Sequence, residues 1–157
     1  LPVPVIAKEV GWGFSEQTAR QLADAGVAAI DVAGAGGTSW TQVEMNRAQN
    51  DRQARLAAAF IDWGIPTAES IQYIRSAAPD MTIFASGGLR DGTDIAKCIA
   101  LGASLGGMAG PYLRAAIQSI EETVSTIHEV KRELQVCMFA AGVPDVESLG
   151  QVKINKL

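Results

Sequence analysis

The chain is poor in the residues that staple, ligate or span. It has two cysteines, Cys98 and Cys137, and one histidine, His128. Nothing pairs the cysteines with metal-ligand spacing, so both are read as small buried hydrophobes of a reducing compartment. His128 falls in the middle of a long helical pattern, which points to packing or surface rather than to catalysis. Aromatic residues are scarce, and the 13 Lys and Arg are outnumbered by 17 Asp and Glu. The resulting charge of -4 offers no basic face of the kind nucleic acid requires. No apolar run approaches the roughly 20 residues of a membrane span. Leu1-Pro-Val-Pro-Val5 lacks the basic start of a secretory leader. These absences predict a cytoplasmic protein with neither a membrane nor a nucleic-acid partner. Low-complexity linkers and internal repeats are also missing.

What is present is a core. Apolar residues make up 48% of 157 residues, enough for about one domain. Val3–Ala7 reads as a strand, with Pro4 tolerable only near its start. Ser15 caps a helix that Gly26 ends. Gly26–Val32 is a second strand, apolar enough to be buried in a parallel sheet. A glycine loop, Ala33-Gly-Ala-Gly-Gly-Thr-Ser-Trp40, leads into a long polar segment from Thr41 to about Arg55. A helix from near Asn50 or Asp51 ends around Ile61, and Trp63-Gly-Ile-Pro66 breaks it. Thr67 caps the next helix and Pro79 stops it. Met81–Ala85 is the third strand, Thr93–Leu101 a helix, and Ser104–Ala109 a weak fourth strand. After Pro111, one long helix carries the stripe Ile117, Ile120, Val124, Ile127, Lys131 and Leu134 until near Gly142. Val152–Leu157 reads as a loose tail.

Strands alternating with helices predict βαβ units and a parallel sheet. Either an open doubly wound sheet or half of a (β/α)8 barrel satisfies the pattern. The glycine loops favour the barrel, because phosphate sites there are often built after strands seven and eight. Ala85-Ser-Gly-Gly-Leu-Arg-Asp-Gly-Thr-Asp94 joins the third strand to a helix start, where clustered N–H groups and a helix dipole favour an anion. Gly87 and Gly88 leave the backbone open to a phosphate oxygen, and Arg90 adds a forked cation. The chain begins without Met and enters an apolar strand within a few residues, the pattern expected of a segment cut from a larger protein.

Four blocks in order carry a family likeness: Lys8-Glu-Val-Gly-Trp-Gly13, Asp31-Val-Ala-Gly-Ala-Gly-Gly-Thr-Ser-Trp40, Trp63-Gly-Ile-Pro-Thr67 and Ala85-Ser-Gly-Gly-Leu-Arg-Asp-Gly92. Together they resemble the C-terminal half of the type 2 isopentenyl-diphosphate isomerases, flavin-dependent (β/α)8-barrel enzymes. The likeness runs from Val3 to Pro111, more loosely to Gly150, and the block from Asp31 to Trp40 is its most specific part. It implies an α/β fold with about four βα units of a TIM barrel, forming one partial-barrel domain over residues 1–157. It implies interconversion of isopentenyl and dimethylallyl diphosphate with reduced FMN as acid/base, Mg2+, and NAD(P)H as the priming reductant.

The resemblance also implies roles. Lys8 contacts the flavin ring and stabilises negative charge on it. Thr38 hydrogen-bonds the FMN beside Gly36 and Gly37. Gly88, Leu89 and Arg90 hold its phosphate, and Ala109 and Gly110 complete that pocket. Trp40 lines the substrate side, where its ring could face a carbocation-like centre. The family's catalytic and magnesium-binding residues lie in its other half, so no catalytic or metal residue is assigned here. Glu44 and Arg47 are read as residues of a solvated loop.

Two other readings stand beside the isomerase. A 2-hydroxyacid oxidase-like barrel shares the lysine and the late phosphate loop, but needs a histidine where this chain has Ala35-Gly-Gly-Thr-Ser39. A non-catalytic half-barrel that binds phosphate ligands is the third. On any reading the chain alone is expected to be inactive and to form a homo-oligomer or require the other half, since four strands leave two open edges.

Overall fold

In a computed structural model, which describes residues 2–155, four short strands form one parallel sheet. They are β1 (Ile6–Lys8), β2 (Ala29–Asp31), β3 (Thr82–Ala85) and β4 (Leu105–Gly106). Their spatial order follows the chain, β1-β2-β3-β4. A doubly wound sheet would reverse that order at a switch point. This sheet never reverses, and the fold is α/β: four successive βα units, half of a (β/α)8 barrel.

Register divides the sheet into two faces, because side chains alternate along a strand. Ala7, Ile30 and Ile83 form one row, and Ile30 and Ile83 are fully buried beneath helices. Lys8, Asp31, Phe84 and Leu105 form a row on the other face, which no helix covers. Ile71 and Ile74 complete the core from the helix side. Each such isoleucine contributes about 1.5–3 kcal/mol. Cys98 lies in the same core, and burial, followed by the nearby Asp94, pushes its thiol up to about 11; Cys137 is half-buried.

All four strands are shorter than expected; β2 loses residues 26–28 and Val32, and β3 loses Met81. β1 excludes Val3 and Pro4, and its pairing begins where the Ala28 N–H donates to the Val5 carbonyl. β4 is cut to two residues; one more bond, from the Gly107 N–H to Ala85, precedes the turn into the next helix.

The helices are α1 (Glu16–Asp24), α2 (Trp40–Arg47), α3 (Asp51–Ala58), α4 (Thr67–Ala77), α5 (Gly92–Ala100), α6 (Gly110–Gln118), α7 (Ile120–Ala140) and α8 (Val146–Leu149). Three depart from expectation. The polar stretch after Trp40 is helical: Ser39 accepts from the Gln42 N–H and starts α2, whose every face is at least partly exposed. Thr67 is the first residue of α4 rather than its cap. The long terminal helix is two helices, divided at Ser119, which caps α7 through the Glu122 N–H. Of the anticipated apolar stripe only Leu134 packs against the core. Ile117, Ile120, Val124 and Ile127 are exposed, and α7 packs through Val130, Leu134 and Met138. Of the tail, 152–155 is irregular and the last two residues lie outside the described range.

Asp91 caps α5. The Thr93 hydroxyl and the Asp94 N–H donate to its Oδ1 at 2.7 and 2.8 Å and hold its carboxyl below the ordinary 3.8. Asp91→Ala should destabilise the chain by about 1 kcal/mol. A depressed carboxyl stabilises above its unfolded pKa and loses that effect as pH falls through its folded value. The difference between the two proteins should therefore be full at pH 7 and shrink below pH 3.8, as read from urea unfolding across pH.

Candidate functional site

The four sequence blocks meet at the C-terminal ends of the strands. The chain leaves β2 through Ala33, whose φ of 34° is the one positive value among described non-glycine residues. Strain of this kind collects at functional sites. The Gly13 N–H donates to Ala33 O, the Ala35 N–H to Ile65 O, and the Ile65 N–H to Trp12 O. Ala35 and Pro66 form a parallel bridge. The Trp63–Thr67 block is thus stitched between the first two blocks instead of acting as a simple helix breaker.

The two glycine loops lie backbone against backbone. A Cβ on Gly37 would stand 2.9 Å from the Gly88 amide nitrogen, and one on Gly88 would overlap the Gly36 carbonyl. One on Gly34 would reach 2.5 Å from the Thr67 Cα. The glycines are therefore needed for the loops to interlock, over and above any access they give a ligand. Thr67 locks the arrangement. Its buried hydroxyl reaches the carbonyls of Ser86 and Gly87, at 3.1 and 2.6 Å. Sequence reasoning made it a helix cap; the buried hydroxyl so near two loop carbonyls shows only in three dimensions. Thr67→Val keeps the shape and leaves Gly87 O without this donor, so it should destabilise the chain by about 1–3 kcal/mol in urea unfolding.

Above this rim lies a cavity of about 750 Å3, a volume within the range of small-ligand sites. Lys8, Thr38, Trp40, Gly88, Leu89, Arg90, Ala109 and Gly110 all line it. The structure thus brings together all eight residues to which the resemblance gave a flavin or substrate role. Lys8 stands on β1; Arg90 follows β3, and Gly110 follows β4. Three strand spacings separate the outer pair, about 14 Å. Arg114, one turn into α6, also lines the cavity and went unassigned. His128 is exposed on α7 and does not reach it, and Glu44 and Arg47 line a separate cleft between α2 and α3.

Three residues differ in detail from expectation. The Leu89 side chain is buried in the core, so only its backbone faces a ligand. The Arg90 guanidinium is exposed and pairs with Asp94 at 3.2 Å. Trp40 opens α2 and is half-exposed.

The helix whose dipole serves the cavity also differs. The first turn of α5 is occupied by carboxylates: Asp91 takes the Asp94 N–H, and Glu133 takes the Gly92 N–H at 2.7 Å. Carboxylates thus already occupy the helix start whose dipole was expected to favour an anion. The N-terminus of α6 is different, with Ala109 giving no side-chain cap and Pro111 in the first turn. Its positive end opens on the cavity with Arg114 beside it, a suitable seat for an anion. Lys8 has a partner as well: its Nζ lies 2.7 Å from Asp31 Oδ2.

This donor set fits a flavin nucleotide. A cation stands on one side, a long cavity lies between, and glycine backbone, an uncapped helix start and two arginines stand on the other. No group of three or more His, Cys, Asp or Glu among the described residues is placed to hold a metal. No described helix is long and apolar enough to cross a membrane.

Comparison with known proteins agrees with this arrangement. The chain is 50% identical, over its whole length, to an isopentenyl-diphosphate delta-isomerase of Stutzerimonas stutzeri, and covers 45% of that protein. It is 53% identical over 150 residues to one from Nostoc sp., covering 43% of it. The chain thus spans under half the length of the curated relatives it matches. Among solved structures, a mandelate oxidase with (S)-2-phenylpropionate superposes with a TM-score of 0.69 at 23% identity, covering 96% of this chain and 39% of that one. A mandelate oxidase variant with (S)-mandelic acid reaches 0.72 at 22%, over 100% and 41%. At such identity these two speak for the fold alone. The model of the FMN-dependent dehydrogenases matches from residue 1 to 156, so the four interlocked blocks lie wholly inside it, and the chain belongs to that family.

Proposed function

We propose that this chain is the flavin-holding part of an isopentenyl-diphosphate isomerase. The observation that carries the reading is convergence: eight residues scattered from position 8 to 110, picked out by motif, line one cavity. The identity of 50% to a named isomerase supports the substrate class. FMN would lie along the strand ends. Lys8 faces its ring and stabilises negative charge there. Thr38 offers a hydroxyl. The backbone of Gly88 and Leu89, with Arg90, receives the phosphate, together with Ala109, Gly110 and the start of α6. Arg114 adds a second cation on that side.

Reduced FMN, when bound, supplies the acid/base for shifting a proton between allylic carbons, with no net redox change. The chain's own residues bind and orient, and the Trp40 ring stands where an isoprenoid tail would lie. Mg2+ on the diphosphate and NAD(P)H as reductant belong to this proposal, as does a cytoplasmic setting. No histidine is among the described residues that line the cavity, so the histidine base a hydroxy-acid oxidase needs is not on this wall.

The test is a chimera in which these 157 residues replace the matching segment of the Stutzerimonas stutzeri relative. Given isopentenyl diphosphate, Mg2+ and reduced FMN, it should form dimethylallyl diphosphate. A folded, flavin-loaded chimera that forms none would overturn the proposal.

A further inference from the structure

Asp31 is not on the cavity wall, yet it holds two residues that are. Its side chain is 17% exposed and both of its oxygens are engaged. Oδ2 receives the Lys8 ammonium at 2.7 Å, and Oδ1 receives the Ser86 hydroxyl at 2.5 Å. Lys8 ends β1, Asp31 ends β2, and Ser86 immediately follows β3, so one carboxylate spans three adjacent strands. Ser86 opens the loop of Gly87, Gly88, Leu89 and Arg90. Its own carbonyl is fixed by the Gly34 N–H at 3.1 Å and by the Thr67 hydroxyl at 3.1 Å.

Lysine rides on a flexible stem with several rotatable bonds. Half-exposed at a strand end, it has no fixed place of its own. A carboxylate held by two charge-assisted bonds gives it one. The same carboxylate anchors the first residue of the glycine loop. We infer that Asp31 is a positioning residue that joins the Lys8 side of the flavin site to the phosphate-loop side through one shared carboxylate. This inference rests on the flavin reading above and adds to it a mechanical link between the two sides. Lys8 and the loop then both depend on Asp31.

The link has a signature that simple loss of stability lacks, because FMN and riboflavin differ by the phosphate. Dissociation constants for both are read by flavin fluorescence on the whole chain. Ser86→Ala should weaken FMN about tenfold, the scale of one hydrogen bond to a charged group, and leave riboflavin within about twofold. Lys8→Met should weaken both flavins alike. Asp31→Ala should weaken FMN about tenfold and riboflavin by less. In the Lys8→Met, Ser86→Ala background, where both partners are gone, it should change neither by more than about twofold, since linked residues are non-additive. Asp31→Asn keeps the volume and should move the FMN-to-riboflavin ratio in the same direction.

A folded Asp31→Ala or Asp31→Asn protein with the parent ratio would overturn the link. So would a tenfold loss from Asp31→Ala in the double background. A parent chain that binds neither flavin would overturn the underlying flavin reading itself, a different and separately visible failure.

Discussion

Gly88→Ala should lower the unfolding free energy by about 3 kcal/mol and weaken FMN binding at least a hundredfold. Two terms set the size. Gly88 has φ +85°, a region where a Cβ costs roughly 1–2 kcal/mol. The new methyl would also overlap the Gly36 backbone, which belongs to the facing loop and cannot rotate away as a side chain could. Overpacking of that kind adds about 1–3 kcal/mol. Gly26→Ala separates the terms: Gly26 has φ +79°, but a Cβ there meets nothing within 4 Å. It should show the conformational term alone, about 1–2 kcal/mol, with FMN affinity unchanged. Urea unfolding and flavin titration of the three proteins read both effects. Equal behaviour of the two variants would mean that the loops do not depend on their mutual contact.

The isolated chain should associate. Among the described residues the sheet ends at β1 and β4, whose outer ladders are unpaired, and parallel edges of this kind recruit other strands. The face carrying Ile6, Thr82 and Leu105 is uncovered, with Ile6 and Leu105 about half-exposed. Two copies could close an eight-stranded ring by pairing each β4 with the other's β1. At roughly 100 μM, where exposed edges associate, scattering should give at least twice the 16.5 kDa of one chain. Ile6→Lys with Leu105→Lys places charge on both edges and should return the mass to one chain. A parent protein that stays at 16.5 kDa would refute this account of the edges.

Much of this arrangement is legible in the residues. Alternation of short apolar runs with helical spacing yields four parallel strands, and the spaced glycine blocks mark the rim. What stays hidden depends on partners distant in sequence. Nothing in Gly87-Gly88 says that Gly36 lies across from it, so the glycines read as ligand access when they also serve loop packing. The dipole at α5 reads as free because Glu133, which takes the Gly92 N–H, is 41 residues away. The apolar stripe on the last helices misleads because periodicity finds a face without saying what covers it. Two local signals in the sequence do mark helix starts. Ser119-Ile-Glu-Glu122 has capping-box spacing and marks the break between α6 and α7. Ser39 before a polar run is an N-cap, although α2 lacks the apolar stripe that would have announced a helix. Asp31 was visible as the one carboxylate in an otherwise apolar strand, and its two partners emerge only once β1, β2 and β3 are in register.

The central claim is that both glycine loops hold one flavin nucleotide by its phosphate. Titrating the chain with FMN and with riboflavin, and recording the flavin absorption spectrum, tests it most directly. The account predicts a perturbed spectrum with FMN at concentrations at least tenfold below those needed with riboflavin, since the arginines and the start of α6 act on the phosphate. Equal affinity for the two, or a spectrum that FMN leaves unchanged, would contradict it.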